Sequence, residues 1–166
     1  GLTDFNKGYS MLVINTERGR ELVRRLDVTT KEYKIDVAIN QVKDTMIVGG
    51  GDIAFYLAKE LLKLGIKVKM IDKNMERCEF LCSELPKAEI VCGDASDEGM
   101  LLEEGIHRTA SFVALTNLDE ENILLSMLAR KGKQAKVITK INRIGFHDVI
   151  GDLDLDTIIY PKNITA

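Results

Sequence analysis

Thr45-Met46-Ile47-Val48-Gly49-Gly50-Gly51-Asp52-Ile53-Ala54 decides the fold. A short apolar run ends in three glycines and passes directly into an amphipathic helix. Gly49, Gly51 and Ala54 fit the G-x-G-x-x-G/A spacing of dinucleotide-binding turns. Gly49 allows a tight turn. Gly51 lacks a Cβ and lets a pyrophosphate approach the backbone. Ala54 is small enough for close helix–strand packing. The start of the helix adds unpaired N–H groups and a partial positive charge, which favour an anion. Glycine-rich turns also serve as plain strand-to-helix connections, so the spacing needs support from elsewhere. The next strand-like run, Lys67-Val68-Lys69-Met70-Ile71, supplies it by ending in Asp72. A carboxylate about 20 residues beyond the glycines accepts both hydroxyls of an adenosine ribose. Taken alone, Asp72 would read as an ordinary turn acid.

Working outward, strands and helices alternate from Lys43 onward. Strands are predicted over 45–48, 67–71, 89–92, 111–115, 136–141 and 157–160. Helices are predicted over 52–64, from Met75 with Asn74 as N-cap, through Leu101 and Leu102, over 119–130, and briefly over 146–150. In the first helix Ile53, Leu57, Leu61 and Leu64 recur at helical spacing, and Gly65 ends it. Six short apolar strands separated by helices imply an α/β fold with a parallel sheet covered on both faces. Right-handed crossovers make it a doubly wound six-stranded Rossmann sheet in the order 3-2-1-4-5-6. Residues 43–166 form this domain. Residues 1–42 stand outside the alternation, with a strand over 10–14, a helix over 17–26 and a polar linker, and read as the remnant of a preceding element or a leader.

Ligands in such sheets bind where the strands end. The residues there are Gly49, Gly50, Gly51, Asp52, Ile53 and Ala54, then Asp72 and Lys73, Gly93, Asp94 and Ala95, Thr116 and Asn117, and Asn142 and Arg143. Asp94 is a candidate for the adenine amino group or a ribose hydroxyl, or else a helix cap. Thr116 and Asn117 are candidates for phosphate or a second ribose, or else turn residues. Lys140 and Arg143 are candidates to neutralise phosphate, with a solvated surface charge as the other reading of Arg143. Asp72 disfavours a 2′-phosphate, because two negative groups would meet, so NAD(H) is expected over NADP.

The bounds agree. The chain has 166 residues, 45% hydrophobic and 30% charged, and a net charge of −3. That suits one globular domain and gives no basic surface for nucleic acid. No run of about 20 apolar residues and no secretory leader stand in the sequence, so neither a membrane span nor export is expected. Cys78, Cys82 and Cys92 show no zinc or C-x-x-C spacing and are expected to be buried, reduced thiols. Asp152-Leu153-Asp154-Leu155-Asp156 lacks the sixth-position Gly and twelfth-position Glu of a calcium loop. His107 and His147 lie far apart, and His107 is expected at the surface, so no metal site is expected. No Tyr-x-x-x-Lys pair accompanies the glycine turn, which argues for a nucleotide sensor rather than an enzyme. Two alternatives remain: a reductase or methyltransferase fragment, and an assembly module with a degenerate site.

Several segments occur together in one order: Val48-Gly49-Gly50-Gly51-Asp52-Ile53-Ala54, Ile71-Asp72-Lys73-Asn74, Glu76-Arg77-Cys78, Gly93-Asp94-Ala95-Ser96-Asp97-Glu98, Leu101-Leu102-Glu103-Glu104-Gly105-Ile106, Val113-Ala114-Leu115-Thr116-Asn117-Leu118-Asp119-Glu120-Glu121-Asn122, and the closing Tyr160-Pro161-Lys162-Asn163-Ile164-Thr165-Ala166. Over residues 36–166 the chain resembles the nucleotide-binding KTN (or RCK) domains of the TrkA family, and most of all the second such domain of those regulators of bacterial Trk potassium uptake. The resemblance implies a cytoplasmic regulatory subunit, peripheral at the inner face of the membrane, that assembles on a potassium-transport subunit. It implies a homo-oligomer, a dimer or a tetrameric ring, that binds NAD(H) or ATP/ADP. It also implies phosphate at Gly49, Gly51 and Ala54, ribose at Asp72, the adenosine end at Asp94, and the distal phosphate or ribose at Thr116 and Asn117. Residues 1–30 would then derive from a preceding ligand-sensing domain.

Overall fold

A computed structural model of the chain describes residues 43–132, 135–143 and 156–160. They form β1 (Asp44–Val48), α1 (Asp52–Lys63), β2 (Lys67–Asp72), α2 (Met75–Glu84), β3 (Glu89–Cys92), α3 (Glu98–Glu103), β4 (Ser111–Ala114), α4 (Asp119–Arg130), β5 (Lys136–Lys140) and β6 (Thr157–Ile159). The strands make one sheet in the order β3-β2-β1-β4-β5-β6. Every pairing is parallel. The expected order 3-2-1-4-5-6 is therefore the observed one. The elements expected over residues 1–42 and 146–150, and the acidic stretch 152–155, lie outside the described residues.

Both faces of the sheet are apolar, as buried parallel strands require. On one face Met46, Val48, Ile71, Phe112, Ala114 and Val137 form a core with Leu101, Ile106, Leu125 and Ala129. Ile47, Val68, Met70 and Val113 alternate to the other face and are also buried. The helix signals act as read. Asn74 Oδ1 accepts from Arg77 N at 2.9 Å and caps α2. Gly65 and Gly105, at φ +77° and +91°, follow α1 and α3 in the left-handed region that glycine reaches without a Cβ clash.

Three expectations are corrected. The sheet-facing side of α1 is Ala54, Ala58 and Leu61, whereas Ile53 and Leu64 are exposed. Small residues bring the helix close to the strands, so the seam runs through the alanines and the larger apolar residues fall beside it. Of the three thiols only Cys78 is buried; Cys82 and Cys92 are exposed. The reason is topological. β3 is an edge strand, so α2 and the end of β3 have sheet on one side only. His107 is only partly exposed, and its Nε2 is buried with no hydrogen-bond partner.

Candidate functional site

The turn from β1 to α1 has the geometry that a phosphate needs. Gly49 has φ +94°, and a Cβ there would stand 2.7 Å from the backbone of Leu115 and Thr116. Only glycine lets the turn pass over the end of β4. Gly51 is the N-cap of α1, and no side chain caps that helix end. Its missing Cβ would meet nothing within 4 Å. The first N–H groups of α1 therefore face an open space next to a backbone without a side chain, which suits an anion. Ala54 is completely buried.

Asp72 ends β2 beside this turn. Its Oδ2 accepts the Gly50 N–H at 2.6 Å, and its Oδ1 accepts the Asn74 N–H at 2.8 Å. Each oxygen keeps a lone pair for a further donor. The carboxylate is thus fixed in place and still able to accept ribose hydroxyls. Gly50 is hemmed in as well: a Cβ there would lie 2.7 Å from Leu81 Cδ1 and 3.1 Å from Asp72 Oδ2. Arg77, which the sequence reading passed over as a site residue, reaches back from α2 to the same turn. Its Nε donates to the Gly50 carbonyl at 2.5 Å, and its Nη2 pairs with Asp52 Oδ1 at 3.1 Å.

Beyond β3, Asp94 is exposed and Ala95 is buried. Asp94 Oδ1 accepts the Ser96 N–H at 2.9 Å. Hydrogen bonds from the backbone and side chain of Ser96, with help from the Lys73 charge, hold its carboxyl below the usual range. Asp94 does not cap α3; Asp97 does, accepting from Met100 N at 3.1 Å.

Beyond β4, Thr116 turns on itself, its Oγ1 accepting the Leu118 N–H at 3.2 Å. Asn117 is exposed. The anchor here is Asn122, completely buried in α4. Its Oδ1 accepts Thr116 N at 2.9 Å, and its Nδ2 donates to the carbonyls of Thr116 at 3.1 Å and Lys140 at 3.0 Å. One side chain thus fastens the ends of β4 and β5 together. A lone Asn at an inward helical position was the only sequence signal for it.

The end of β5 is organised by Asp119. It accepts the N–H groups of Asn142 at 2.8 Å and Arg143 at 2.9 Å, and the Asn142 amide at 2.9 Å. Burial pushes its carboxyl up, but these bonds and Arg143 outweigh burial and leave it below the usual range. Arg143 pairs with Asp119 at 3.3 Å and with Glu120. Its charge is therefore directed to the acidic first turn of α4. Lys140, a candidate to neutralise phosphate, is buried, and burial lowers its pKa against the pull of Asp119.

The expected site residues stand at the C-terminal edge of the sheet, in the turns that follow it or in the first turn of α1. The side chain of Arg143 is engaged by carboxylates of its own chain. A cavity of about 370 Å³ lies at the opposite edge, among Asp44, Lys67, Lys69, Glu89, Glu104 and Arg108. Part of its charge is matched internally, since Lys69 pairs with Glu104 at 2.5 Å and Glu89 at 3.1 Å. Among the described residues no cluster of His, Cys, Asp or Glu has a metal-binding arrangement. No helix among them is long and apolar enough to cross a membrane.

A glycine turn with an open helix start, beside a fixed acid at the end of β2, defines a Rossmann-type nucleotide-binding domain. The chain belongs to the TrkA-N domain family, whose model matches residues 45–161. It is 42% identical over 120 residues to the Trk system potassium uptake protein TrkA of Vibrio alginolyticus, covering 72% of this chain and 26% of that protein. It is 37% identical over 119 residues to a TrkA homolog of Archaeoglobus fulgidus, covering 72% and 27%. The chain therefore spans about a quarter of the length of these relatives. Among solved structures it resembles the TrkA-N domain of the Escherichia coli inner membrane protein ybaL, with a TM-score of 0.64 at 16% identity over 74% of this chain and 90% of that one. It also resembles GsuK bound to ADP, with a TM-score of 0.60 at 21% identity over 75% and 32%. The GsuK channel bound to NAD gives a TM-score of 0.60 at 14% identity over 92% and 32%. At these identities the likeness is one of fold.

Proposed function

We propose that this chain is the nucleotide-sensing part of a potassium-uptake regulator. It binds NAD(H), with ATP and ADP as the other candidates, and passes the bound state to a membrane transport partner as a change of shape. The observation that carries this reading is the pairing of the uncapped α1 start at Gly51 with Asp72, held 2.6 Å from the Gly50 N–H. Such a pair suits one phosphate chain and one ribose. The reading is supported by family membership, by the names of the TrkA relatives, and by the NAD and ADP seen in the GsuK structures.

In this reading residues 43–166 are the nucleotide domain and residues 1–42 come from a preceding element. Gly49, Gly50 and Gly51 with the N–H groups of Asp52, Ile53 and Ala54 receive phosphate. Asp72 receives the ribose. Lys73, Asp94 and Ala95 flank the adenosine end, and Thr116 and Asn117 the distal end. The protein acts as a regulator, not an enzyme. It works as a homo-oligomer, a dimer or a tetrameric ring, on the cytoplasmic side of the membrane, against a potassium-transport subunit. A nucleotide changes that partner only through its different affinity for two shapes of the assembly.

Thermal melting with NAD, NADH, NADPH, ATP, ADP and S-adenosylmethionine tests the proposal. A ligand at 100 times its dissociation constant adds about 2.7 kcal/mol, several degrees for a domain of this size. NAD(H) or ATP/ADP should raise the melting temperature without turnover, and Asp72→Ala should remove most of the shift. A response to S-adenosylmethionine alone would replace the reading with a methyltransferase. No response to any nucleotide would leave an assembly module.

A further inference from the structure

We propose that Arg77 is a positioning residue of the nucleotide site, holding the Gly50 peptide and screening Asp52 so that the β1–α1 turn accepts a phosphate chain. This rests on the nucleotide reading above. The Gly50 peptide is gripped from both sides. Its N–H donates to Asp72 Oδ2 at 2.6 Å and its carbonyl accepts from Arg77 Nε at 2.5 Å. No side chain at position 50 can brace this peptide from within, because a Cβ would strike Leu81. The turn that receives phosphate therefore takes its shape from the β2–α2 segment.

The second arm of Arg77 acts by charge. Asp52 is the first residue of α1 and its side chain is 87% exposed. A carboxylate at that place repels an incoming phosphate, while the open N–H groups attract it. Arg77 Nη2 lies 3.1 Å from Asp52 Oδ1 and offsets that charge. The planar guanidinium serves both acceptors at once, which a lysine ammonium at the end of a flexible stem does not reproduce. Arg77 is itself held. Its N–H caps into Asn74, and its Cζ lies 4.8 Å from the centroid of the Phe80 ring. Phe80 in turn packs on Phe55 of α1, with ring centroids 5.5 Å apart. Arg77 thereby ties the ribose carboxylate to the phosphate turn without placing its own charge on the ligand.

The consequence is selective. Removing Arg77 weakens ligands that carry a phosphate chain and spares adenosine, which uses only the Asp72 side of the site. The test is calorimetric titration of NAD, ADP and adenosine into the whole chain and into Arg77→Met, Arg77→Lys, Asp52→Asn and the Arg77→Met/Asp52→Asn double variant. Arg77→Met should lose about tenfold or more for NAD and ADP and less than about twofold for adenosine, the size of one charge-assisted hydrogen bond. Arg77→Lys should recover only part of that loss. Asp52→Asn should restore part of the ADP affinity when Arg77 is absent. Equal losses for ADP and adenosine would overturn the proposal, as would unchanged ADP affinity in Arg77→Met. If Arg77→Met does not fold, Arg77→Lys with full ADP affinity overturns it equally. No binding of any adenine nucleotide by the unaltered chain would instead overturn the nucleotide reading, and the role of Arg77 with it.

Discussion

Gly49 and Gly51 look equivalent in sequence and carry different loads in the structure. At Gly49 the φ of +94° and the 2.7 Å approach to Leu115 and Thr116 make a side chain costly to the fold itself. At Gly51 the φ of −61° is ordinary, and a Cβ would enter empty space. We expect Gly49→Ala to lower stability by about 1–3 kcal/mol or more in urea denaturation. We expect Gly51→Val to leave the melting temperature of the free protein nearly unchanged and to abolish the shift produced by NAD or ADP. A Gly51→Val protein that still responds to nucleotide would take the glycine turn out of the site. Motif spacing located both positions. It did not divide them into one whose Cβ would strike the chain and one whose Cβ would meet open space, because that difference depends on what lies opposite each Cα. Arg77 was hidden for the same reason: an arginine in the first turn of a helix reads as a solvated charge until the turn beneath it is placed.

Element boundaries were largely legible, since strand runs, Asn74 as a cap and Gly65 and Gly105 as stops are local signals. Which side of an element faces the core was less so. In α1 the seam follows Ala54, Ala58 and Leu61 instead of the bulkier apolar residues, and in α2 position at the sheet edge leaves Cys82 exposed. Cys78 is different again: burial first, then the neighbouring Cys92, push its thiol up to about 12. The first turn of α4 carries a further consequence. Asp119 has a lowered pKa in the folded state, so its contribution to stability is present above the unfolded value of about 3.9 and is lost as pH falls through the folded value. We expect Asp119→Asn to lower the melting temperature at neutral pH. The gap from the unaltered protein should close as pH drops below about 4. A gap that stays constant down to acid pH would show that the carboxylate charge contributes nothing to joining α4 to the end of β5.

At the scale of the whole molecule, the expected site residues meet because a parallel sheet delivers every strand's C-terminus to one edge. They come from five separate turns, and the neighbouring β1 and β4 hold the middle of that edge. If residues 43–166 are a self-sufficient domain, a fragment of those residues should show the same nucleotide-induced rise in melting temperature as the full chain. A fragment that folds and does not respond would give residues 1–42 a part in binding. The sequence by itself determined the six-stranded order, the glycine turn after β1 and the acid at the end of β2. It could do so because strand periodicity, glycine spacing and right-handed crossovers are local or nearly local constraints. Only the tertiary structure decided that Arg77 and Asp72 grip one peptide from both sides, that Asn122 joins β4 to β5, and that Arg143 turns to Asp119 and Glu120. Those are contacts between residues 18 to 27 positions apart for all but the Thr116–Asn122 bonds. Their partners are set by how the elements pack, and no period in the chain records that.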